Sequence, residues 1–382
     1  MSWLVLGIFG AEIASSRISL LDLANQAPVF VIGIFIGVFL DRHDLLRVLL
    51  STKSIAVIHS LLLAWLVYTN NVTFPVLLGL SLVLGILTAI DMPARQACVS
   101  QMITHPAQLQ SALSLQSGSF NLARLIGPAL GGFIINISGE LACFLINAVA
   151  TLAVLYAYYT MKLPERKLAS LQQRPADALR EGMRYILNNQ PIKLVIGFNY
   201  AYCFAAMSSM VLLPVFAKHF LGGDSRHLGF LLGAVGLGSI VAVMYIAAWV
   251  PARGLPLHIC RMQSGFAISY VVFALSSEWI ISLCTAVIMG GCLTSSLVAS
   301  NSLTQTLTDE DKRGRVISIY TFGLLGFGPV GSLLAGKLAD HISAPNASLV
   351  CALIALLVSL LHWRQLPVYT KTVESILMKK GL

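Results

Sequence analysis

Apolar runs long enough to cross a bilayer recur along nearly all of the 382-residue chain, and no other feature constrains its fold so strongly. A helix needs about 20 apolar residues to span roughly 30 Å of hydrocarbon. Runs of that kind cover residues 18–40, 49–67, 74–90, 112–135, 141–161, 194–216, 228–249, 257–275, 279–300, 316–337 and 348–363, about eleven crossings in all. They are continuous and rich in Leu, Ile, Ala and Gly, without the period of two that membrane β-strands show. The expected fold class is an all-α polytopic membrane protein. Composition agrees, with 57% hydrophobic and 11% charged residues, against about 25% charged in soluble domains.

Residues 2–11 are apolar, but as a helix they extend only about 15 Å. No basic residue precedes them and no small-residue cleavage site follows, so they do not read as a signal peptide. They are read as the outer half of a first helix whose beginning is missing from this sequence.

The formal charge of +9 becomes informative once it is located. With these spans, one side collects most of the Lys and Arg, among them Arg42, Arg47, Arg95, Arg180, Arg184, Lys312, Arg313, Arg315 and Arg364. The other side holds only Arg17, Lys218, Arg226 and Lys337. The first side is expected to face the cytoplasm and to hold the C-terminus. The basic balance is thus a topology signal, and nucleic acid is not an expected partner. The seven cysteines form no CxxC pair and lie in or beside apolar runs, which fits small buried hydrophobes and gives no disulfide framework or metal site.

The longest polar interruption divides the chain into a bundle over 1–161, a central loop over 162–193, a second bundle over 194–363 and a tail over 364–382. Within the loop, Pro175 opens a stretch in which Ala176, Leu179, Met183, Ile186 and Leu187 share one helical face. A short helix lying on the cytoplasmic membrane surface is expected there, with a solvated linker as the alternative. The halves also repeat. Cys98–Thr104 (CVSQMIT) resembles Ser302–Thr308 (SLTQTLT), and each is followed by a crossing with a Gly-Pro pair, Gly127-Pro128 with Gly131 and Gly132, and Gly328-Pro329 with Gly331. Parallel repeats of six helices are a transporter architecture.

The loop after the second crossing reads Gly37-Val38-Phe39-Leu40-Asp41-Arg42-His43-Asp44. It resembles the G-x-x-x-D-R/K-x-G motif of the major facilitator superfamily, with Leu45 and Leu46 where basic residues are usual and Arg47 remaining. The resemblance covers the chain except the missing half-helix. It implies a fold of two six-helix bundles, close approach of helices at Gly37, and a cytoplasmic charge latch at Asp41 and Arg42. A helix 4 stretch with Asp91, Pro93 and Arg95, then Asn121 and Arg124 ahead of the Gly-Pro element, is similar to the drug and siderophore exporter branch that includes enterobactin exporters. In that branch the Gly-Pro element on helix 5 looks like an antiporter motif.

Arg124 is the most informative charge, because about ten residues into its helix it lies near mid-bilayer, where a charge costs roughly 2.5–3.5 kcal/mol. It either lines the central cavity and holds an anionic substrate or a proton-exchanging carboxylate, or it closes a structural ion pair. Asp91 and Arg95, four apart, share a helix face and suggest a local ion pair at the gate. Asp22 lies near the outer end of its helix, in interfacial water or as a titrating group. Lys53 is close enough to its helix end to snorkel, and His59 reads as a packing residue. Asn199 and Tyr320 are cavity candidates or helix-to-helix ties.

The expected function is proton-coupled export of a siderophore-like or drug-like small molecule by alternating access in a bacterial inner membrane. Small-molecule substrate, protons and membrane lipids are the expected partners. No GxxxxGK[ST] run occurs, so ATP is not expected, and neither a cofactor nor a catalytic residue is proposed. The alternatives are a lysophospholipid flippase or passive facilitator of the same fold, or a truncated membrane protein that transports nothing.

Overall fold

The computed structural model describes residues 2–9, 14–102, 106–161, 175–309 and 312–379. Among them the chain runs α1 (Ser2–Phe9), α2 (Ala14–Arg42), α3 (Leu45–Tyr68), α4 (Phe74–Met102), α5 (Pro106–Thr160), α6 (Pro175–Asn188), α7 (Gln190–Ala206) and α8 (Ser208–Val215). It continues through α9 (Ser225–Trp249), α10 (Leu255–Leu275), α11 (Trp279–Leu307), α12 (Arg313–Ile342) and α13 (Ala344–Lys379). A π-helical turn, Phe216–Phe220, extends α8.

Local chemistry sets several of the ends. Asp44 caps α3 by accepting from the Leu46 N–H at 2.9 Å, and Asp224 caps α9 by accepting from the N–H groups of Arg226 and His227. Gly139 breaks α5 at φ +74°, a conformation that favours glycine, so the element is two helical passages joined at a turn. Ser343 makes the corresponding turn between α12 and α13 at φ +77°.

Eight helices among the described residues are both long and apolar enough to cross a membrane. The difference from the expected eleven lies in three places. Helix α2 and the shorter α10, which carries His258, Arg261 and Gln263, fall outside that set, and the two passages of α5 count as one continuous helix, Ile126–Thr160. The repeat seen in sequence falls on matching structure: its first segment reaches the end of α4 and its second the end of α11, while Pro128 and Pro329 lie inside α5 and α12.

The first bundle pairs α2 with α4 and α3 with both α4 and α5; the second pairs α9 and α10 with α11, α10 with α13, and α7 with α12 and α13. The bundles meet along two edges, α2 against α12 and α5 against α9. In helices packed this tightly, glycines let backbones touch. A Cβ on Gly85 would lie 2.2 Å from the Asn25 carbonyl oxygen of α2, and one on Gly331 would lie 1.8 Å from that of Phe204 in α7.

Two segments carry contacts that the sequence does not show. Helix α6 begins at Pro175 as expected, and it packs against the second bundle. Glu181 pairs with Arg315 at 2.7 Å, the Tyr185 hydroxyl donates to Asp309 at 2.9 Å, and Gly182 is small enough to admit Ile319. Ile186 is buried there, while Met183 and Leu187 stay exposed. Past residue 363, α13 continues to Lys379, while its span apolar enough for a membrane ends at Pro367. Val373 is fully buried in a cluster with Ile186, Leu255 and Leu307, and that anchor carries the helix onward.

Candidate functional site

Two cavities lie at the edges where the bundles meet. The larger, about 690 Å³, is bounded by Leu23, Ala27 and Phe30 of α2, Tyr200 and Phe204 of α7, and Phe327 with its neighbours in α12. Its wall is almost wholly apolar and aromatic. Phe30 stacks on Phe322 of α12 with centroids 4.0 Å apart, and Tyr200 stacks on Phe327 at 5.2 Å. The Tyr200 hydroxyl donates to the Ile319 carbonyl at 2.6 Å, so its polar end is satisfied and its ring is left for the cavity. The second cavity, about 510 Å³, lies where α5, α9 and α11 meet.

At one end the bundles are clasped by short polar contacts. The Ser16 N–H points at both carboxylate oxygens of Asp340, 3.3 Å from each. On the opposite edge Asn136 donates to Asp224 at 2.7 Å and the Ser225 hydroxyl donates to the Gly132 carbonyl at 3.0 Å. Lys218 donates to the Leu6 carbonyl at 2.9 Å and so ties α1 to the turn after α8.

The sequence-derived residues distribute unevenly over this frame. Gly37, Asp41 and Arg42 lie in α2, and Asn121 and Arg124 in α5, but their side chains fall outside the described residues. Arg47 pairs with Asp44 at 3.4 Å on an exposed surface. Asp22 is half-buried beside the cavity residue Leu23. Asn199 and Tyr320 are buried and bonded to each other: Asn199 donates to the Tyr320 hydroxyl at 2.6 Å, which in turn donates to the Leu297 carbonyl at 3.0 Å. They tie α7, α11 and α12 together inside the second bundle. Gly127 and Gly131 meet no neighbour within 4 Å of an added Cβ, whereas Gly132 abuts Ser225 and Gly328 abuts Met207.

Asp91 turns from the expected local pair with Arg95 to Lys53 of α3, whose ammonium lies 3.0 Å from each carboxylate oxygen. Lys53 is thereby tied to α4. His59 bonds the Leu80 carbonyl of α4 at 3.0 Å, as a packing residue does. Sequence reasoning also missed a buried network in the second bundle, in which His362 meets Gln263 at 2.8 Å and stacks on Phe198. Polar residues inside otherwise apolar runs were its only signal.

Two edges of contact, two flanking cavities and a clasp at one end define a two-bundle helical membrane transporter. Comparison with known proteins bears this out. Residues 1–378 match the family described as transmembrane secretion effector, so the chain belongs to this family of major facilitator transporters, which are not enzymes. Among its relatives is a staphyloferrin A transporter of Staphylococcus aureus (strain NCTC 8325 / PS 47), 24% identical over 352 residues, 89% of this chain and 84% of that one. The multidrug efflux pump Tap of Mycolicibacterium fortuitum is 24% identical over 355 residues, 88% and 83% of the two chains. Among solved structures, a D-xylose–proton symporter superposes with a TM-score of 0.73 at 14% identity, covering 95% of this chain and 92% of that one. The protein is an integral plasma-membrane transporter of small molecules.

Proposed function

We propose that the protein exports a siderophore-like or drug-like organic molecule from the cytoplasm, in exchange for protons, by alternating access of its two bundles. The observation that carries this reading is the 690 Å³ cavity between α2, α7 and α12, whose aromatic wall suits a bulky organic cargo rather than a bare ion. The names of the relatives, a siderophore transporter, multidrug efflux pumps and macrolide efflux proteins, support the direction and the cargo class. In this reading the bundles span residues 1–161 and 194–363, the C-terminus is cytoplasmic, and the Ser16–Asp340 and Asn136–Asp224 contacts close the outer end. Arg124 serves the cavity or its proton exchange, while Asp41 and Arg42 form the latch at the cytoplasmic gate.

The test is transport in liposomes holding the purified protein, with staphyloferrin A, a macrolide and a cationic dye as cargoes and an imposed pH gradient. Gradient-driven movement of at least one cargo, abolished by a protonophore, is the expected result. Flux indifferent to the gradient overturns proton coupling and leaves a facilitator. Movement of lysophospholipid with none of the three cargoes overturns the exporter reading.

A further inference from the structure

The second cavity differs from the first in having a cation at its rim. Arg226 stands at the start of α9, and below it Phe230, Gly233, Ala234 and Leu237 continue the groove along the same helix. Ile126, Leu130 and Phe133 of α5 form the facing wall. These are exposed side chains, Leu130 by 55% and Phe230 by 57%, so the groove opens at the surface of the molecule rather than being sealed inside it. From Arg226 to Leu237 the groove descends about 16 Å along α9, the depth of one leaflet's share of a hydrocarbon core roughly 30 Å thick.

The Arg226 guanidinium sits 5.7 Å from the centre of the Phe133 ring and, among the described residues, forms no ion pair. The nearest carboxylate in sequence, Asp224, is already occupied. One oxygen accepts from the backbone N–H groups of Arg226 and His227 and lies 2.8 Å from His227 Nδ1, and the other accepts from Asn136. A cation held at the interface over one leaflet's depth of apolar groove matches the build of a phospholipid, with phosphate above and acyl chain below.

We infer that this groove binds an anionic phospholipid, its headgroup phosphate on Arg226 and an acyl chain along Leu130, Phe230 and Leu237. Because the walls come from α5 of one bundle and α9 and α11 of the other, the lipid seats across an edge where the bundles meet. The site is separate from the transport cavity and does not depend on what that cavity carries.

The test uses the purified protein in detergent, following Tm and counting bound lipid by native mass spectrometry. Added phosphatidylglycerol is expected to raise Tm roughly twice as much as phosphatidylcholine, with glycerophosphoglycerol, the free headgroup, having no effect. Arg226→Gln and Leu130→Trp, which fills the groove, should each remove the preference and the bound phosphatidylglycerol. Lys337→Gln, a cation near the end of α12 on the other edge, should keep both. The inference is overturned if phosphatidylcholine matches phosphatidylglycerol, if the free headgroup reproduces the shift, or if Arg226→Gln binds phosphatidylglycerol as the wild type does. Should Leu130→Trp fail to fold, the exposed Arg226→Gln substitution still decides.

Discussion

The seam between α9 and α11 makes a demanding prediction, because two glycines there meet carbonyl oxygens of the opposite helix. A Cβ on Gly238 would lie 1.9 Å from the Val287 oxygen, and one on Gly290 would lie 2.1 Å from the Val235 oxygen. Ordinary contact begins at 3.4 Å, so Gly238→Ala must push the helices about 1.5 Å apart, against backbone that cannot rotate away. That movement also stretches the Ser239 hydroxyl's bond to the Gly290 carbonyl, now 3.2 Å. Overpacking of this kind costs about 1–3 kcal/mol, here near the upper end, and the gain of Ala over Gly in a helix returns about 1 kcal/mol. The net loss is about 2 kcal/mol, a fall of several degrees in Tm for a chain of this size. Gly290→Ala should behave alike, and the double variant should lose little more than either single one, since one separation relieves both contacts. Gly79→Ala in α4, with nothing within 4 Å of its Cβ, should instead be neutral or stabilising. Thermal unfolding in detergent reads all four variants, and the reasoning fails if Gly238→Ala and Gly79→Ala shift Tm in the same direction.

Removing one member of the half-buried Lys53–Asp91 pair, by Lys53→Met or Asp91→Asn, should destabilise by about 3 kcal/mol, the low end for buried pairs because 20% and 15% of the side chains remain exposed. The double variant should recover most of that loss in the same unfolding assay. Asp224→Ala should cost about 1 kcal/mol of cap stabilisation at neutral pH. Desolvation opposes the shift, yet hydrogen bonds from His227 and the backbone hold the Asp224 carboxyl below the ordinary 3.8, so the wild type's advantage persists above that value and disappears as acid protonates the folded carboxylate. Ser343→Gly should raise stability by about 1 kcal/mol, because φ +77° with ψ 155° strains any residue with a Cβ; an unchanged or lower Tm would count against that strain.

Much of the fold was legible because it rests on properties local to the sequence. Apolar run length gives the helices, and Pro175 gives the start of α6. The paired Gly-Pro elements give the repeat that places α5 and α12 in equivalent roles. What was not legible depends on partners distant in the chain. Asp91 has a basic residue four positions away on its own helix, and periodicity makes that the natural pair, yet Lys53 lies closer in space across the α3–α4 contact. The apolar face of α6 would suit a membrane surface or a protein surface equally well, and its contact with the second bundle depends on Gly182 and on Arg315, the latter more than a hundred residues further on. That α13 runs on as a helix past Trp363 was not legible, because hydropathy falls there while Val373, ten residues later, is buried against the second bundle. Of the candidate site, the cavity aromatics Phe30, Phe204 and Phe327 were invisible among many phenylalanines in apolar runs.

The two kinds of helix contact in this molecule differ in a way that bears on motion. Inside the second bundle, Tyr202, Phe266 and Tyr270 are fully buried in ring contact, as is Phe273 on Phe216, and large side chains packed at that density tolerate two arrangements poorly. Between the bundles the contacts at the clasped end are small residues and a few hydrogen bonds, Ser16 to Asp340, Asn136 to Asp224, and Gly336 against Ser19, with the Phe30–Phe322 stack the large contact at the α2–α12 edge. Hydrogen bonds between helices in a bilayer average about 0.6 kcal/mol, so those of the clasp cost little to break. The proposed alternating access needs that ordering of strengths, because bundles that yielded more readily inside than at their edges would deform rather than rock.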